Sequence, residues 1–122
     1  MVNAVVLVGR VAQDVILAKT PTGESICVNQ IAVERPRMRK EEPKKVDYLD
    51  VCFIRSSAEF FCKNFQKGSW VAVQGTLRKN KKTNRGGYEV NFMEVLVNQV
   101  SFCGAKTYDG FSNESEMSMQ EC

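Results

Sequence analysis

The fold is decided by residues 67–97, which read KGSWVAVQGTLRKNKKTNRGGYEVNFMEVLV. The apolar residues within 70–77 and 88–97 follow the pattern of two β-strands. Between them, residues 78–87 carry five cations and no carboxylate, together with the Asn, Thr and Gly residues that turns with positive φ require. We therefore predict a β-hairpin whose two strands are joined by a long basic loop.

The basic loop needs a partner for its charge. Like charges crowded into one loop repel each other, and a counter-charge from outside relieves that repulsion. A basic loop on a hairpin that also bears aromatic residues suggests the backbone of a nucleic acid as this counter-charge. The alternative is a solvated hairpin tip whose lysines only keep the protein soluble.

Length and composition indicate one globular domain. The chain has 122 residues, 43% hydrophobic and 25% charged, which are ordinary values for a folded domain. It contains no apolar run of membrane-spanning length and no charged segment ahead of a signal-peptide core, so we expect a cytoplasmic protein without a membrane partner. Residues 104–122 carry a net charge of −3, which leaves +6 on residues 1–103.

Cysteine and histidine usage excludes several kinds of site. The five cysteines are far apart with no C-x-x-C pair, and there is no histidine. Mixed Cys/His zinc sites and histidine-based catalysis are therefore impossible, and we predict neither a metal nor a cofactor. Cys27 and Cys52 fall within apolar runs and are predicted to be small core residues.

The rest of the chain supplies three more strands and one helix. Residues 2–11, 25–33 and 46–55 are β-rich, and Gly9 predicts a bulge or a close backbone approach in the first run. A capping box formed by Ser56 and Glu59 predicts the start of a helix, and Gly68 fits the left-handed position after its last turn. Phe61 and Phe65 lie one helical turn apart and are predicted to face the core.

The order of these elements is strand, strand, strand, helix, strand, strand. It predicts an all-β protein with an OB-fold, a five-stranded Greek-key barrel with one helix between strands 3 and 4. A barrel without a nucleic-acid ligand would show the same order, so topology alone does not give the function.

Several segments of the chain are similar to the bacterial single-stranded DNA-binding (SSB) family. The matching segments run in the expected order through residues 2–103: VVLVGR at 5–10, Asp14, TPTG at 20–23, IAV at 31–33, DYLDV at 47–51, Arg55, AE at 58–59, KGS at 67–69, GTLR at 75–78 and EV at 94–95. The resemblance implies an OB-fold, a homotetramer with a dimer as the alternative, and sequence-independent binding of single-stranded DNA in replication, recombination or repair.

Binding of this kind needs cations along the phosphates and flat side chains on which any base can stack. Tyr48 stands where the family stacks a base; the alternative is a tyrosine that packs at the barrel rim with its hydroxyl exposed. The predicted nucleic-acid-binding residues are Arg35, Arg37, Lys45, Tyr48, Arg55, Lys67, Arg78, Lys79, Lys81, Lys82, Arg85 and Tyr88.

The chain departs from the family pattern at three of the four usual stacking positions. Arg37 and Met38, Ile54 and Lys82 stand where relatives carry aromatic residues. Arginine planes also stack on bases, so Arg37 is predicted to substitute in part. We predict that binding depends more on phosphates than it does in typical relatives, and that affinity falls more steeply with salt.

Residues 104–122 are predicted to form a short, acidic, disordered tail that follows the OB-fold domain of residues 1–103. Relatives end in an acidic, Phe-terminated peptide that recruits other proteins, and this tail lacks that ending. The sequence therefore does not favour recruitment of partner proteins through the tail. Weak competition of the tail with DNA for the basic face is a further hypothesis.

Two other classes of protein are weighed against DNA binding. An OB-fold nuclease would need clustered carboxylates, whereas alternation places Asp47 and Asp50 on opposite strand faces, so we predict no enzymatic activity. A protein-interaction subunit of the primosome type, with weak nucleic-acid binding, is the alternative function. Trp70 at the start of the fourth strand is predicted to cap the barrel core, with a subunit contact or a base platform as alternatives.

Overall fold

Six strands and one helix form the fold in a computed structural model that describes residues 1–103. In chain order the elements are β1 (Val5–Val11), β2 (Ala18–Lys19), β3 (Ser25–Glu34), β4 (Val46–Ile54), α1 (Ser56–Asn64), β5 (Trp70–Thr83) and β6 (Glu89–Phe102). Within the described part of the chain, no helix has the length and apolar character needed to cross a lipid bilayer.

The five long strands close into a barrel, which confirms the predicted OB-fold. Neighbours follow the order β1, β5, β6, β4, β3, and a short pairing of β1 with β3, where Arg10 lies opposite Ala32, closes the ring. All of these pairings are antiparallel except that of β4 with β6. The two-residue β2 only extends the edge of β3 and escaped prediction because it is too short to show a pattern.

The core fills the barrel and the end that α1 covers. Inward-facing residues of the five long strands are buried together with one side of the helix. The rings of Phe53 and Phe61 stack with their centroids 3.9 Å apart, and Phe65 is also buried, so the predicted helical stripe is confirmed. Cys27 and Cys52 are buried as predicted, and burial raises the pKa of the Cys27 thiol to about 12, which keeps it protonated.

Two glycines lie where strands approach each other closely. A Cβ atom at Gly9 would collide with the carbonyl oxygen of Ala32, so the predicted close approach is confirmed. The bulge itself lies elsewhere, since the register between β5 and β6 shifts between Gln74 and Gly75. A Cβ atom at Gly75 would likewise collide with the backbone of β6.

The start and end of the helix differ from prediction. The N-cap residue is Arg55, with φ of 56°, and no side chain of residues 1–103 caps the helix, so the capping box of Ser56 is wrong. The reason is that the Glu59 carboxylate accepts a hydrogen bond of 2.8 Å from Ser25 Oγ on β3 instead. Gly68 has the predicted positive φ, but it belongs to a separate turn beyond the helix, which ends at Asn64.

The basic segment is mostly strand, which corrects the predicted long loop. The ladder between β5 and β6 continues to the pair of Thr83 with Glu89, so only residues 84–88 form the turn. Asn84 builds this turn, because its Oδ1 atom accepts hydrogen bonds from the backbone N–H groups of Gly86 at 3.0 Å and Tyr88 at 3.1 Å. We call residues 78–94 the arm.

Trp70 lies outside the buried core. Its side chain is 39% exposed, and the Arg10 guanidinium lies 4.9 Å from the centroid of its ring. The prediction that Trp70 caps the barrel core is therefore wrong.

Candidate nucleic-acid interface

The arm and the charged loop of residues 35–45 project from the same end of the barrel. This follows from the parallel pairing of β4 with β6, because the loop precedes β4 and the turn of the arm precedes β6. The loop is closed at its base by a hydrogen bond of 2.9 Å from the N–H of Arg35 to the carbonyl oxygen of Lys45. The structure thus brings two cationic segments, far apart in sequence, to one end.

Most of the predicted site residues lie at this end, which we call the arm end. They are Arg35, Arg37 and Lys45 of the loop, Tyr48 near the start of β4, and Arg78, Lys79, Lys81, Lys82, Arg85 and Tyr88 of the arm. Arg55 and Lys67 lie at the other end of the barrel, because Arg55 follows the last residue of β4 and Lys67 precedes the first residue of β5.

Cations occupy both faces of the arm. Val95 and Val97 of β6 point into the barrel, so by alternation Glu94 and Phe92 lie on the outer face. The register therefore places Arg78, Asn80 and Lys82 on the outer face of β5. Lys79 and Lys81 lie on the opposite face of β5, where Lys79 pairs with Met93 of β6. An extended single strand of nucleic acid could contact the cations on either face of the arm.

Three ion pairs form within residues 1–103, and all of them use arginine. Arg35 pairs with Asp47 at 2.9 Å, Arg55 with Glu24 at 3.1 Å, and Arg78 with Glu94 at 2.7 Å. In the same part of the chain, the remaining cations of the arm, Lys79, Lys81, Lys82 and Arg85, have no carboxylate within 4.0 Å. These four charges are therefore available to an external anion.

A buried carboxylate anchors the base of the arm. Glu94 is only 3% exposed, and its Oε2 atom accepts hydrogen bonds from Arg78 Nε at 2.7 Å and Asn80 Nδ2 at 2.9 Å. A buried charge is tolerated only when it is paired and hydrogen-bonded in this way. Arg78 was predicted to bind nucleic acid, but in the structure its charge is matched by Glu94.

Replacing Glu94 by glutamine should lower the free energy of unfolding by about 2 kcal/mol, since the ion pair with Arg78 is lost and the buried hydrogen bonds are no longer made to a charged acceptor. The matched control is Glu24→Gln, which breaks an exposed pair and should cost at most about 1 kcal/mol. Urea unfolding of both variants measures the difference. Equal losses in the two variants would contradict the anchoring role of Glu94.

The Arg35–Asp47 pair fixes one corner of the loop. Arg35 donates from Nε to both carboxylate oxygens of Asp47, at 3.1 and 3.0 Å, and these hydrogen bonds hold the pKa of Asp47 below its usual range. Asp50 has a different partner, accepting a hydrogen bond of 3.1 Å from Gln30 Nε2. The two carboxylates that the nuclease alternative would use are therefore engaged separately.

Two tyrosines at the arm end are open to solvent. Tyr48 lies on the outer face of β4 and is 61% exposed, so the alternative of a tyrosine packed at the rim is not supported. Tyr88 is the last residue of the turn of the arm and is 73% exposed. Rings exposed beside cations present flat surfaces on which bases can stack.

The partners of the arginines were missed by sequence reasoning. Arg78 and Glu94 are equidistant from Gly86, so a tight turn centred on Gly86 would have placed them opposite each other. The long-loop interpretation hid this signal. Phe92 was treated only as an apolar strand residue, although its ring lies 5.0 Å from the ammonium group of Lys82.

A closed five-stranded barrel with a helix before its last two strands and a cationic arm is the architecture of an OB-fold binding protein. The model of the Single-strand binding protein family matches residues 2–103, and the chain belongs to this family. It is a binding protein and not an enzyme.

Three relatives illustrate the similarity. A single-stranded DNA-binding protein of Oceanobacillus iheyensis is 32% identical over 115 residues, which cover 94% of this chain and 71% of the relative. A protein of the same name from Halalkalibacterium halodurans is 32% identical over 84% of this chain and 61% of its own length. Single-stranded DNA-binding protein 1 of Staphylococcus aureus is 27% identical over 99% of this chain and 76% of its own length.

Proposed function

We propose that the chain binds single-stranded DNA without reading its sequence, and that the arm end is the contact surface. Single-stranded DNA binding itself follows from membership of the family. The observation that supports this surface is the set of four cations on the arm that no carboxylate of residues 1–103 neutralises, together with two exposed tyrosines at the same end of the barrel. Phosphates would pair with these cations, and bases would stack on the rings.

The structure also suggests which of the predicted residues contribute most to DNA binding. In this proposal the phosphates bind to Lys79, Lys81, Lys82 and Arg85, and the bases stack on Tyr48 and Tyr88. Arg35, Arg55 and Arg78 contribute less charge, because each of them already has a carboxylate partner. Lys67 lies at the other end of the barrel and would contact only a strand that wraps around it.

Assembly and biological role are also part of this proposal. We infer a homo-oligomer, a tetramer or a dimer, that acts on exposed single strands during replication, recombination or repair in the cytoplasm. The acidic tail of residues 104–122 lies outside the described residues, so its predicted disorder and its competition with DNA stay predictions.

Salt titration tests the proposed mechanism. Four phosphate contacts predict that a plot of log affinity against log salt concentration has a slope of about −3, since each contact on a single strand contributes about −0.7. Anisotropy of labelled oligo-dT at several salt concentrations gives this slope, and a duplex of equal length is the control. An affinity that hardly changes with salt would overturn the phosphate-based mechanism. Negligible binding to both ligands would favour the alternative of a protein-interaction subunit.

A further inference from the structure

Two aromatic side chains stand at matching positions where β4 and β6 separate. The parallel pairing of these strands begins with Val51 opposite Val95. Tyr48 and Phe92 each lie three residues before that pair, one on each strand. Because Val51 and Val95 point into the barrel, both aromatic residues lie on the outer face.

Within residues 1–103, the Phe92 ring contacts a cation and no other aromatic ring. Lys82 Nζ lies 5.0 Å from the centroid of the ring, and Phe92 is opposite Asn80 in the ladder of the arm. The ring–ring contacts seen within residues 1–103 all involve phenylalanines at the helix end of the barrel, and Phe92 is in none of them. Phe92 is only partly buried and belongs neither to the buried core nor to the residues packed against it, so packing within the core does not account for this ring.

We propose that Phe92 is a stacking platform for one nucleobase of a bound single strand, beside Tyr48, with Lys82 pairing to the adjoining phosphate. This inference rests on the proposed function and adds Phe92 to it, a residue that is not among the predicted nucleic-acid-binding residues. An exposed ammonium over a ring is held weakly, so a base can replace it while the lysine moves to a phosphate. Phe92 would then contact the base, and Lys82 would contact the adjoining phosphate.

The test compares two substitutions one residue apart. Phe92→Leu removes the flat ring but keeps an apolar residue, and Met93→Leu is the matched control on the opposite face of the same strand. Affinities for oligo-dT and for an abasic strand of equal length are measured by anisotropy at one salt concentration. We expect Phe92→Leu to weaken binding of oligo-dT roughly tenfold and to leave binding of the abasic strand unchanged. Met93→Leu should change neither.

The outcomes separate this inference from the function on which it rests. If the unmodified protein fails to bind oligo-dT, the proposed function is wrong. If it binds and Phe92→Leu binds equally well, or loses affinity for both strands alike, Phe92 is no stacking platform and the proposed function stands.

A second variant keeps the test valid if Phe92→Leu disturbs the arm. Phe92→Trp in a Trp70→Phe background retains a flat ring and leaves one indole in the protein. Saturation with oligo-dT should quench its fluorescence, and saturation with the abasic strand should not. Unchanged emission when anisotropy shows bound oligo-dT would overturn the proposal.

Discussion

Replacing Lys79, Lys81 and Lys82 together by glutamine should lower the affinity for oligo-dT about 100-fold at about 0.1 M salt. Glutamine keeps the length and polarity of each side chain and removes only the charge. Each lost phosphate contact on a single strand lowers the salt slope by about 0.7, so the slope should decrease by about 2. Anisotropy titrations at several salt concentrations measure both quantities.

A matched pair of single substitutions controls for net charge. Lys81→Gln on the arm should weaken binding about fivefold, whereas Lys63→Gln on α1, at the other end of the barrel, should have little effect. Equal effects of the two variants would show that binding responds to overall charge and not to the arm. An unchanged salt slope in the triple variant would contradict the proposed phosphate contacts.

Truncation of Phe61 to alanine should lower the free energy of unfolding by about 4 kcal/mol. The side chain is completely buried, and its ring stacks on Phe53 at 3.9 Å and on Phe65 at 5.5 Å. Removing it leaves a cavity between the helix and the barrel that the surrounding strands can fill only in part. Urea unfolding monitored by circular dichroism measures the change.

Phe60→Ala is the neighbouring control on the same helix. Phe60 is only partly buried and packs at the edge of the core against Phe65 and Phe102. Its truncation should therefore cost distinctly less than that of Phe61. Equal losses, or a loss below about 1 kcal/mol for Phe61→Ala, would show that α1 does not close the barrel as the structure indicates.

The elements of the fold could be predicted because their patterns are local. Apolar runs marked the long strands, and the spacing of Phe61 and Phe65 marked the buried side of the helix. The extent of the hairpin could not be predicted in this way. Lysine and asparagine at residues 79–82 favour loops by composition, but here the backbone ladder between β5 and β6 outweighs that preference.

The cations of the candidate site could be predicted from the sequence. Which of them pair with a carboxylate of the protein could not. Asp47 neutralises Arg35 across 12 residues, and Glu94 neutralises Arg78 across 16 residues. Such pairs depend on strand register, and for Arg78 and Glu94 the interpretation of a long loop concealed the register that a tight turn at Gly86 implies. The lysines of the arm are among the cations that have no carboxylate partner within residues 1–103. Their contact with DNA stays a prediction.

The connectivity of the barrel has a consequence for the order in which the chain folds. β5 and β6 are neighbours in sequence and can pair as soon as both exist, whereas β1 must wait for β5, with Val5 meeting Gly75. Non-local pairings of this kind slow folding, because a long loop must close before any contact compensates for its lost entropy. During translation, β1 therefore has only its short pairing with β3 available for most of the domain's synthesis, and the ring closes only after Phe102 has emerged.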